Sequence, residues 1–427
     1  MLDVIYDVTQ LVDGEINKSC RSGIYFVSVN ILNKLLLRKD VNVFLWTSPS
    51  RVYLLKKLES ENASNAKSIL NANKIVFFLS KIETCLKIFA WKHEGRFFFR
   101  KILWIMIYFM DLLSNLLFCP KIKNFSSQKP VFFSPGGAVP KYFAKQREIV
   151  KYAILYDTIP FRLEEYKSQK GSGWFAKFIK TIDLSDCFFA ISDFTKRDFS
   201  ELFPQLKKKS VYVTPLAASE TISPIEDPES LQRVTEKYNL PKGKKYVFSL
   251  CTLEPRKNLI RAVKTFVEFI QKHNIDDCVW IMGGGQYEGF FQQIKQSLSN
   301  LELYDESVFY IGYIDDKDLP VLYSNAYWFV YTSQYEGFGL PPLEAMQCGC
   351  PVITSNNSSL PEVVGDAGLM IDWDSDERHV EAYEKYYFNE EFRKEKSQKG
   401  LGRARMFSWG KTVDKMVAIM TSNSEKT

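Results

Sequence analysis

The stretch YWFVYTSQYEGFGLPPLEAMQCGCPVITS, residues 327–355, decides the fold that we expect for this chain. It contains an apolar run, a loop with two glycines and a double proline, the helical segment LEAMQC and a second apolar run. Proline is tolerated at the first turn of a helix but not inside it, so Pro341 and Pro342 mark a helix start. Gly349 is typical of a helix end, and CPVITS then predicts a buried strand. Strand, loop, helix and strand in this order indicate a parallel, doubly wound sheet.

Two glutamates, Glu336 and Glu344, stand eight positions apart in this stretch. The pattern places Glu336 on the loop and Glu344 in the first helical turn. Because a helix N-terminus has free N–H groups, it is a natural anion site. Acids on either side of it could hold hydroxyl groups on the two sides of a bound diphosphate. The alternative is that Glu344 only complements the helix dipole and that Glu336 is solvated.

The same alternation runs along most of the chain and divides it into two units. LDVIYDV at residues 2–8 predicts the first strand, and after a polar loop a helix opens at Gly23. A second alternating series begins near residue 245, after a polar segment with three prolines. We therefore predict two Rossmann-like domains, at residues 1–218 and 219–405, and a helix at 406–427 that packs back on the first domain. Two such domains that face each other bind a ligand in the cleft at the carboxyl ends of their strands.

Composition excludes several classes of protein. A net charge of +6 over 427 residues is only mildly basic, which argues against nucleic acid and suits anionic substrates or an anionic membrane surface. The eight cysteines and three histidines show no metal-ligand spacing, so we expect no metal and a reducing, cytoplasmic location. The opening residues indicate a first strand and no signal peptide.

Residues 75–119 differ from the rest because they are crowded with aromatic residues and lysines. The apolar part is slightly short for a bilayer span and contains Asp111, which disfavours a transmembrane helix. A buried or domain-packed helix pair would suit these lengths. A helix pair that rests on an anionic membrane would also explain the basic residues beside large apolar ones, which are Lys81, Lys87, Lys92, Arg96, Arg100 and Lys101.

Further candidates for the cleft follow other strands. Arg256 and Lys257 come directly after a strand, where a guanidinium and an ammonium group suit a diphosphate; the alternative is a pair of solvated charges at a helix start. Gly283 begins a triple glycine, GGGQYEG, at the end of the next strand. Its spacing fails the dinucleotide-binding pattern because Glu288 stands where the last glycine belongs. We interpret it as a tight turn between a strand and a helix.

TLEPRKN, GGG, GYIDDKDL, YEGFGLPPLEAMQCGCPVITSNNSSLPEVVGDAGLMID and FSW together resemble the retaining glycosyltransferases of family 4. The similarity is dense over about residues 245–410 and thinner in the first half, where SGIY, YDTIPF and ISDFTKRDF match in kind. Glu336 and Glu344 match the E-x7-E motif of that family. The resemblance implies the α/β GT-B fold, two facing doubly wound domains with a cleft between them.

The family also implies roles for individual residues. Glu336 would hold hydroxyls of the donor sugar, Glu344 the ribose, and the N–H groups around Gly339 and Leu340 the phosphates. Lys257, aided by Arg256, would neutralise the leaving diphosphate. Gly23 would let the first domain approach that diphosphate, and Tyr313 and Ile314 would border the base. No cofactor and no divalent metal would be needed, since the nucleotide sugar is itself the substrate.

The sequence departs from the family at two positions. Where many members have an arginine five residues before the lysine, this chain has Thr252. Where many have a histidine near the donor sugar or the acceptor, it has Tyr156, followed by Asp157. Tyr156 could replace the histidine as a hydrogen-bonding group, or Asp157 could face the acceptor; Asp157 could also simply cap the end of a strand.

We therefore expect a retaining, metal-independent glycosyltransferase that moves a hexose or deoxyhexose from a nucleotide sugar to a glycan acceptor. The acceptor would be lipid-linked, as in surface-polysaccharide assembly, and the enzyme cytoplasmic or peripheral on the inner face of the plasma membrane. One alternative is a catalytically weak relative that acts as a binding or scaffold subunit. Another is a phosphorylase or hydrolase on the same fold.

Overall fold

The computed structural model describes residues 1–16, 23–61, 66–68, 74–92, 97–117, 125, 129–171, 176, 178–179, 182–285, 289–301 and 304–425. Its strands form two separate parallel sheets, of seven and six strands. We call the first sheet with its helices the first domain, and the second sheet with its helices the second domain. This arrangement confirms the α/β fold of two doubly wound domains predicted from the alternating pattern.

The first sheet has the strand order β3-β2-β1-β4-β5-β6-β7. Its strands are short apolar runs because both faces of a parallel sheet are buried. The order reverses direction between β1 and β4, and this switch point is where a doubly wound sheet opens its ligand crevice. The strands are β1 Leu2–Asp7, β2 Val41–Trp46, β3 Ala66–Ser68, β4 Val131–Ser134, β5 Val150–Leu155, β6 Cys187–Ala190 and β7 Ser210–Val213.

The second sheet has the order β10-β9-β8-β11-β12-β13, so its switch point lies between β8 and β11. The strands are β8 Lys245–Leu250, β9 Cys278–Gly283, β10 Val308–Tyr310, β11 Trp328–Tyr331, β12 Val352–Ser355 and β13 Leu369–Ile371. Strands β11 and β12 are the two apolar runs on either side of the double proline.

Helices connect the strands in both domains. In the first half of the chain they are α1 Thr9–Ile16, α2 Gly23–Leu36, α3 Val52–Glu61, α4 Lys74–Lys92, α5 Phe97–Leu117, α6 Lys141–Ala144, α7 Ile159–Arg162, α8 Asp193–Leu202 and α9 Pro228–Lys237. In the second half they are α10 Leu259–Lys272, α11 Phe290–Leu298, α12 Tyr304–Ser307, α13 Leu319–Asn325, α14 Leu340–Gln347, α15 Leu360–Val364, α16 Asp376–Phe388, α17 Glu390–Ala404 and α18 Trp409–Glu425.

Helix α1 corrects one prediction, because it occupies a segment that we expected to be a polar loop. Gly23 therefore opens the second helix of the first domain and not the first. Ser192 caps α8, since its side chain accepts a hydrogen bond from the N–H of Thr195 at 2.9 Å.

The last helix, α18, belongs to the second half of the chain but packs on the first domain. Thr412 donates a hydrogen bond to the carbonyl of Pro215 at 2.6 Å, and Ser424 donates one to the carbonyl of Lys129 at 2.6 Å. Asn423 donates to the hydroxyl of Tyr152 at 2.8 Å. The sequence predicted this last helix at residues 406–427, whereas the structure ends α17 at Ala404 and has α18 at Trp409–Glu425.

Helices α4 and α5 form a hairpin that exposes an unusual amount of apolar surface. Leu103, Ile107 and Ser114 of α5 are buried against the rest of the domain. The exposed large apolar side chains of α5 are Ile102, Trp104, Ile105, Met106, Tyr108, Phe109, Leu112, Leu113, Leu116 and Leu117. Among the described helices, none combines the length and the apolar character needed to cross a membrane. Helix α5 is therefore not buried on all sides, and packing on the domain through one face agrees with the structure.

The basic residues predicted beside this surface are only partly described. Lys81 and Lys101 are exposed, and Lys87 forms an ion pair with Glu83 at 2.6 Å. Arg96 lies outside the described residues, and of Lys92 and Arg100 only the helical backbone is described.

Candidate active site

The candidate site lies at the switch point of the second sheet. Lys257 follows β8 and Glu336 follows β11, and these two strands are neighbours that run in parallel. The N–H of Gln334 donates to the carbonyl of Arg256 at 2.9 Å, which ties the two loops together. Residues that stand 79 positions apart in the chain therefore meet at one edge of the sheet.

Glu336 is the centre of a buried cluster of charges. Its Oε1 accepts hydrogen bonds from Nζ of Lys257 at 2.7 Å and from Nη1 of Arg256 at 2.8 Å. The exposed fractions of Glu336, Lys257 and Arg256 are only 8%, 8% and 9%. Burial alone would raise the pKa of Glu336, but the charges of Arg256 and Lys257 hold that pKa at about 2. The carboxylate is therefore ionised at any physiological pH and can accept hydrogen bonds from sugar hydroxyls.

Lys257 has a second partner, the hydroxyl of Tyr331, which accepts a hydrogen bond from Nζ at 2.6 Å. Tyr331 is the last residue of β11, so the ammonium group is fixed from two neighbouring strand ends. An ammonium group has three donors, so one remains for a ligand.

Arg256 is held by protein groups on both sides of its guanidinium. Nη1 also donates to the carbonyl of Tyr335 at 2.7 Å, and Nη2 donates to Oε1 of Glu254 at 2.5 Å. Glu254 in turn accepts a hydrogen bond at 3.0 Å from the hydroxyl of Tyr166, which belongs to the first domain. This geometry makes Arg256 a positioning residue for Glu336, while its contact with a diphosphate stays a prediction. Our sequence analysis missed both Glu254 and Tyr166.

The first domain contributes Asp157, which lies two residues beyond the end of β5. Its Oδ1 accepts a hydrogen bond from the N–H of Ile159 at 3.2 Å, so it does act as a local cap. Burial raises the pKa of Asp157, the positive charges of Arg256 and Lys257 oppose this rise, and the charge of Glu336 adds to it. A Cβ added to Gly337, the residue after Glu336, would lie 3.2 Å from Cβ of Asp157, so Asp157 lies beside the charge cluster of the second domain.

Tyr156 points away from that cleft. Its hydroxyl donates to the carbonyl of Pro135 at 2.6 Å inside the first domain, and the residue is 6% exposed. Of the two residues that could take over from the histidine of the family, only Asp157 lies beside the cluster.

Glu344 lies on α14 in different surroundings. It is the fifth residue of that helix, which starts at Leu340, and so it lies just beyond the first turn in which the sequence placed it. Its Oε2 accepts a hydrogen bond from the hydroxyl of Tyr323 at 3.0 Å. Burial raises the pKa of Glu344 to about 7, the hydrogen bond from Tyr323 opposes this rise, and the charge of Asp316 adds to it.

The start of α14 offers a small set of N–H donors. Pro341 and Pro342 occupy its second and third positions and have no N–H, so the donors of this turn are Gly339 and Leu340. Gly339 has φ 118°, and an added Cβ would lie 2.7 Å from Cδ2 of Leu360. Only glycine fits there, because the positive φ and the contact with Leu360 leave no room for a side chain.

The remaining predicted residues lie at the end of β9, just after β10 and at the start of α2. Gly283 ends β9, and a Cβ there would lie 2.3 Å from Cδ1 of Ile314, which is buried against it. Tyr313 is 73% exposed. Gly23 is exposed at the start of α2, and an added Cβ would meet no atom within 4 Å. Packing within the described residues thus explains the glycine at 283 but not the glycine at 23.

The described part of the chain contains no group of three or more His, Cys, Asp or Glu side chains that could hold a metal ion. The triple glycine forms a tight turn at its first residues: Gly284 has φ 116°, and a Cβ there would lie 2.0 Å from the carbonyl oxygen of Cys251. Glu288 lies outside the described residues.

Residues 232–402 match the family described as glycosyl transferases group 1. The chain is 33% identical over 275 residues to the O-antigen chain mannosyltransferase B of Escherichia coli, which covers 63% of this chain and 70% of that protein. It is 29% identical over 272 residues to the serotype-specific mannosyltransferase WbdA of Escherichia coli, covering 61% of this chain but only 32% of that longer protein.

Solved structures show the same fold at low sequence identity. A glycosyltransferase from Rickettsia africae superposes with a TM-score of 0.64 at 15% identity, over 100% of this chain and 99% of that one. Alr3699/HepE of Anabaena, solved in complex with UDP and glucose, superposes with a TM-score of 0.63 at 12% identity, over 99% and 100% of the two chains.

Proposed function

This chain belongs to the glycosyl transferases of group 1 and has the GT-B fold that its sequence predicted, and we propose that it transfers a hexose from a nucleotide-sugar donor with retention of configuration. Within the group we assign it to family 4, on the E-x7-E pair Glu336 and Glu344. The observation that carries the proposal is the buried cluster of Glu336, Lys257 and Arg256 at the switch point of the second sheet.

The cluster has the parts that this reaction needs. The bond between the anomeric carbon and the diphosphate breaks, and the acceptor oxygen forms its bond on the same face of the sugar. Negative charge grows on the leaving phosphate, where Lys257 and the N–H groups of Gly339 and Leu340 stabilise it. The departing phosphate oxygen takes the proton of the acceptor hydroxyl. Glu336 holds the sugar hydroxyls, so no carboxylate nucleophile and no metal ion is required.

The sugar that we propose is mannose. The two Escherichia coli relatives described above align over more than half of this chain and are named mannosyltransferases, one of an O-antigen chain and one serotype-specific. Support for a nucleotide donor comes from Alr3699/HepE, whose structure contains UDP. We therefore place the enzyme in the assembly of a surface polysaccharide such as O-antigen.

The acceptor that we propose is a glycan linked to a lipid, reached from the inner face of the plasma membrane. At 100° per residue, the exposed apolar side chains of α5 cover an arc of roughly 220° of the helix. Ser80 of α4 donates to the carbonyl of Ser50 at 2.8 Å and accepts from the N–H of Tyr53 at 3.0 Å. These residues follow β2, so the hairpin lies at the same edge of the first sheet as the cleft. A membrane that covers α5 would hold a lipid-linked substrate beside the cleft.

Transfer from labelled GDP-mannose, UDP-glucose and UDP-galactose to lipid-linked glycans, with and without EDTA, tests the reaction. We expect one donor to be used, at the same rate in EDTA, with the product in the anomeric configuration of the donor. Product with inverted configuration would refute retention. Release of free sugar or sugar phosphate would favour the hydrolase or phosphorylase alternative. Binding of a nucleoside diphosphate without any transfer would favour the scaffold alternative.

Flotation with vesicles that contain anionic lipid tests the membrane surface. Leu116 on α5 and Leu37 beyond α2 are both 74% exposed, so they form a matched pair. We expect Leu116→Asp to weaken binding several-fold, because a charge on the apolar face opposes insertion, and Leu37→Asp to leave it unchanged. Charge reversal at Lys92, Arg96 and Arg100 should also weaken binding. Equal binding by wild type and Leu116→Asp would remove the membrane from the proposal.

A further inference from the structure

We infer that the first domain positions Glu336 by holding the two residues on either side of it, so that the catalytic carboxylate is in place only when the cleft is closed. The inference rests on the proposed function of Glu336. It concerns four residues of the first domain, Thr158, Ser192, Thr195 and Asp198, which we call the interdomain clamp. None of the four contacts Glu336 itself, so all are positioning residues.

The residue before Glu336 is held through its side chain. The hydroxyl of Tyr335 donates to Oδ2 of Asp198 at 2.5 Å and lies 3.0 Å from the hydroxyl oxygen of Thr158. Thr158 donates to the same Oδ2 of Asp198. Asp198 is itself fixed, since Nε of Arg162 donates to its Oδ1 at 2.6 Å and only 4% of its surface is exposed. A buried, hydrogen-bonded carboxylate of the first domain thus fixes the ring of Tyr335.

The residue after Glu336 is held through its backbone. The hydroxyl oxygens of Ser192 and Thr195 lie 2.9 and 3.0 Å from the carbonyl oxygen of Gly337. A Cβ added to Gly337 would lie 2.2 Å from the carbonyl oxygen of Tyr156, the residue between β5 and Asp157. The two domains therefore meet here at a distance that only glycine allows.

A third contact fixes the helix that carries half of the clamp. Glu362 of the second domain accepts hydrogen bonds from the N–H groups of Asp193 and Phe194 at 2.7 and 2.6 Å. These are the first two residues of α8, and α8 also bears Thr195 and Asp198. A carboxylate at a helix N-terminus is favoured by the helix dipole as well. Helix α8 is thereby locked to the second domain while its side chains hold Tyr335 and Gly337.

These contacts connect closure to chemistry. If the domains separate, residues 335–337 lose Asp198, Ser192 and Thr195 together. Glu336 then keeps the contacts from its own domain, which are Lys257 and Arg256 on its carboxylate and Ser358 and Ser359 on its backbone. A nucleotide can still reach Glu344 and the start of α14, which belong entirely to the second domain. The clamp should therefore change turnover and leave nucleotide binding almost untouched.

The test is Tyr335→Phe, which removes the hydroxyl that Asp198 and Thr158 of the clamp hold and keeps the ring. We expect kcat to fall about tenfold, as for the loss of one buried hydrogen bond to a charged group, while KM for the donor changes less than about twofold. The matched control is Tyr246→Phe, which removes a buried hydroxyl donated to the carbonyl of Leu322 at 2.8 Å in the second domain, away from the clamp. Tyr246→Phe should keep the kcat of the wild type.

A double variant separates positioning from general damage. Because the clamp acts through Glu336, Tyr335→Phe should cost little in a Glu336→Gln background, whereas independent structural damage would cost the same in both backgrounds. An active wild type with an unchanged kcat in Tyr335→Phe, or fully additive losses, would overturn the inference. An inactive wild type would instead refute the proposed function.

If the wild type is inactive, a measurement of domain closure can still test the inference. In small-angle X-ray scattering with a saturating nucleoside diphosphate, Gly337→Ala should show a larger radius of gyration than wild type, because its Cβ cannot fit against Tyr156 in the closed form. Gly402→Ala is the control, since a Cβ there meets no atom within 4 Å. Identical scattering from wild type and Gly337→Ala would overturn the inference.

Discussion

Residues 335–339 and the helix Leu340–Gln347 are adjacent in the chain, yet each carries a glutamate in opposite electrostatic surroundings. Glu336 has two cations on one oxygen, and its pKa is about 2. Glu344 accepts a hydrogen bond from a tyrosine hydroxyl, and its pKa is about 7. Glu336 is buried and Glu344 is half-buried, so burial alone does not explain why the pKa of Glu336 is the lower one, and the partners make the difference. The first carboxylate is always charged, whereas the second can gain or lose a proton near neutral pH.

The largest effect should come from substitutions in the charge cluster around Glu336. We expect Lys257→Ala and Glu336→Ala each to lower kcat at least about a hundredfold, because each removes a group that stabilises the transition state. Lys264→Ala is the control, since Lys264 forms only surface ion pairs with Glu268 and Asp376. Turnover near that of wild type in either variant would contradict the role assigned to that residue.

The next largest effect concerns Glu344 and the pH dependence of nucleotide binding. If the ionised form of Glu344 binds the ribose hydroxyls, affinity for a nucleoside diphosphate should rise with pH up to about 7 and then level off. Glu344→Gln should lower that affinity about tenfold above this pH, as for the loss of a hydrogen-bonded charge, and should flatten the profile. Titration calorimetry measures both. An unchanged pH profile in Glu344→Gln would mean that the titrating group lies elsewhere.

The two carboxylates should also affect stability with opposite signs. Glu344 has its pKa raised from 4.5 to about 7, so the free energy of unfolding should fall, relative to Glu344→Gln, as pH rises through this window. Glu336 has its pKa lowered from 4.5 to about 2, so its contribution is complete above 4.5 and lost as pH falls towards 2. Urea unfolding of wild type and the two glutamine variants across pH would show whether the signs differ.

The smallest effect should come from removing the hydroxyl of Tyr323, which donates a hydrogen bond to Glu344. The hydroxyl of Tyr323 lowers the pKa of Glu344 by donating to its ionised form. Tyr323→Phe should therefore move the midpoint of pH-dependent nucleotide binding upward, by less than about one pH unit. A downward shift would show that the hydroxyl stabilises the protonated acid instead.

Residues that follow neighbouring parallel strands meet at one edge of the sheet, and this regularity explains how far the sequence could predict the site. Lys257 and Glu336 each follow an apolar strand, and neighbouring parallel strands bring such residues together. This regularity does not reveal which charges pair. A basic dipeptide indicates an anion, and only the fold shows that Arg256 is buried between Glu254 and Glu336. Glu254 was visible in CTLEPRKN, but its partner Tyr166 lies 88 residues away.

The hairpin shows a different limit of sequence analysis. Apolar residues in 102–118 indicate that something covers them, but the same pattern is expected for a protein core and for a membrane. The structure shows that the protein itself covers the face of α5 that carries Leu103, Ile107 and Ser114. At Glu344 the error was smaller, since the helix begins before the prolines and not after them.

The return of α18 to the first domain has a consequence for motion. The chain passes between the domains twice, once between β7 and α9 and once between α17 and α18. The bond from Thr412 to Pro215 joins the two passages side by side. A body attached at two nearby points swings about the line through them and resists twisting across it. The cleft should accordingly open and shut along a single arc, which brings Asp157 back to the same place over Glu336 in every cycle.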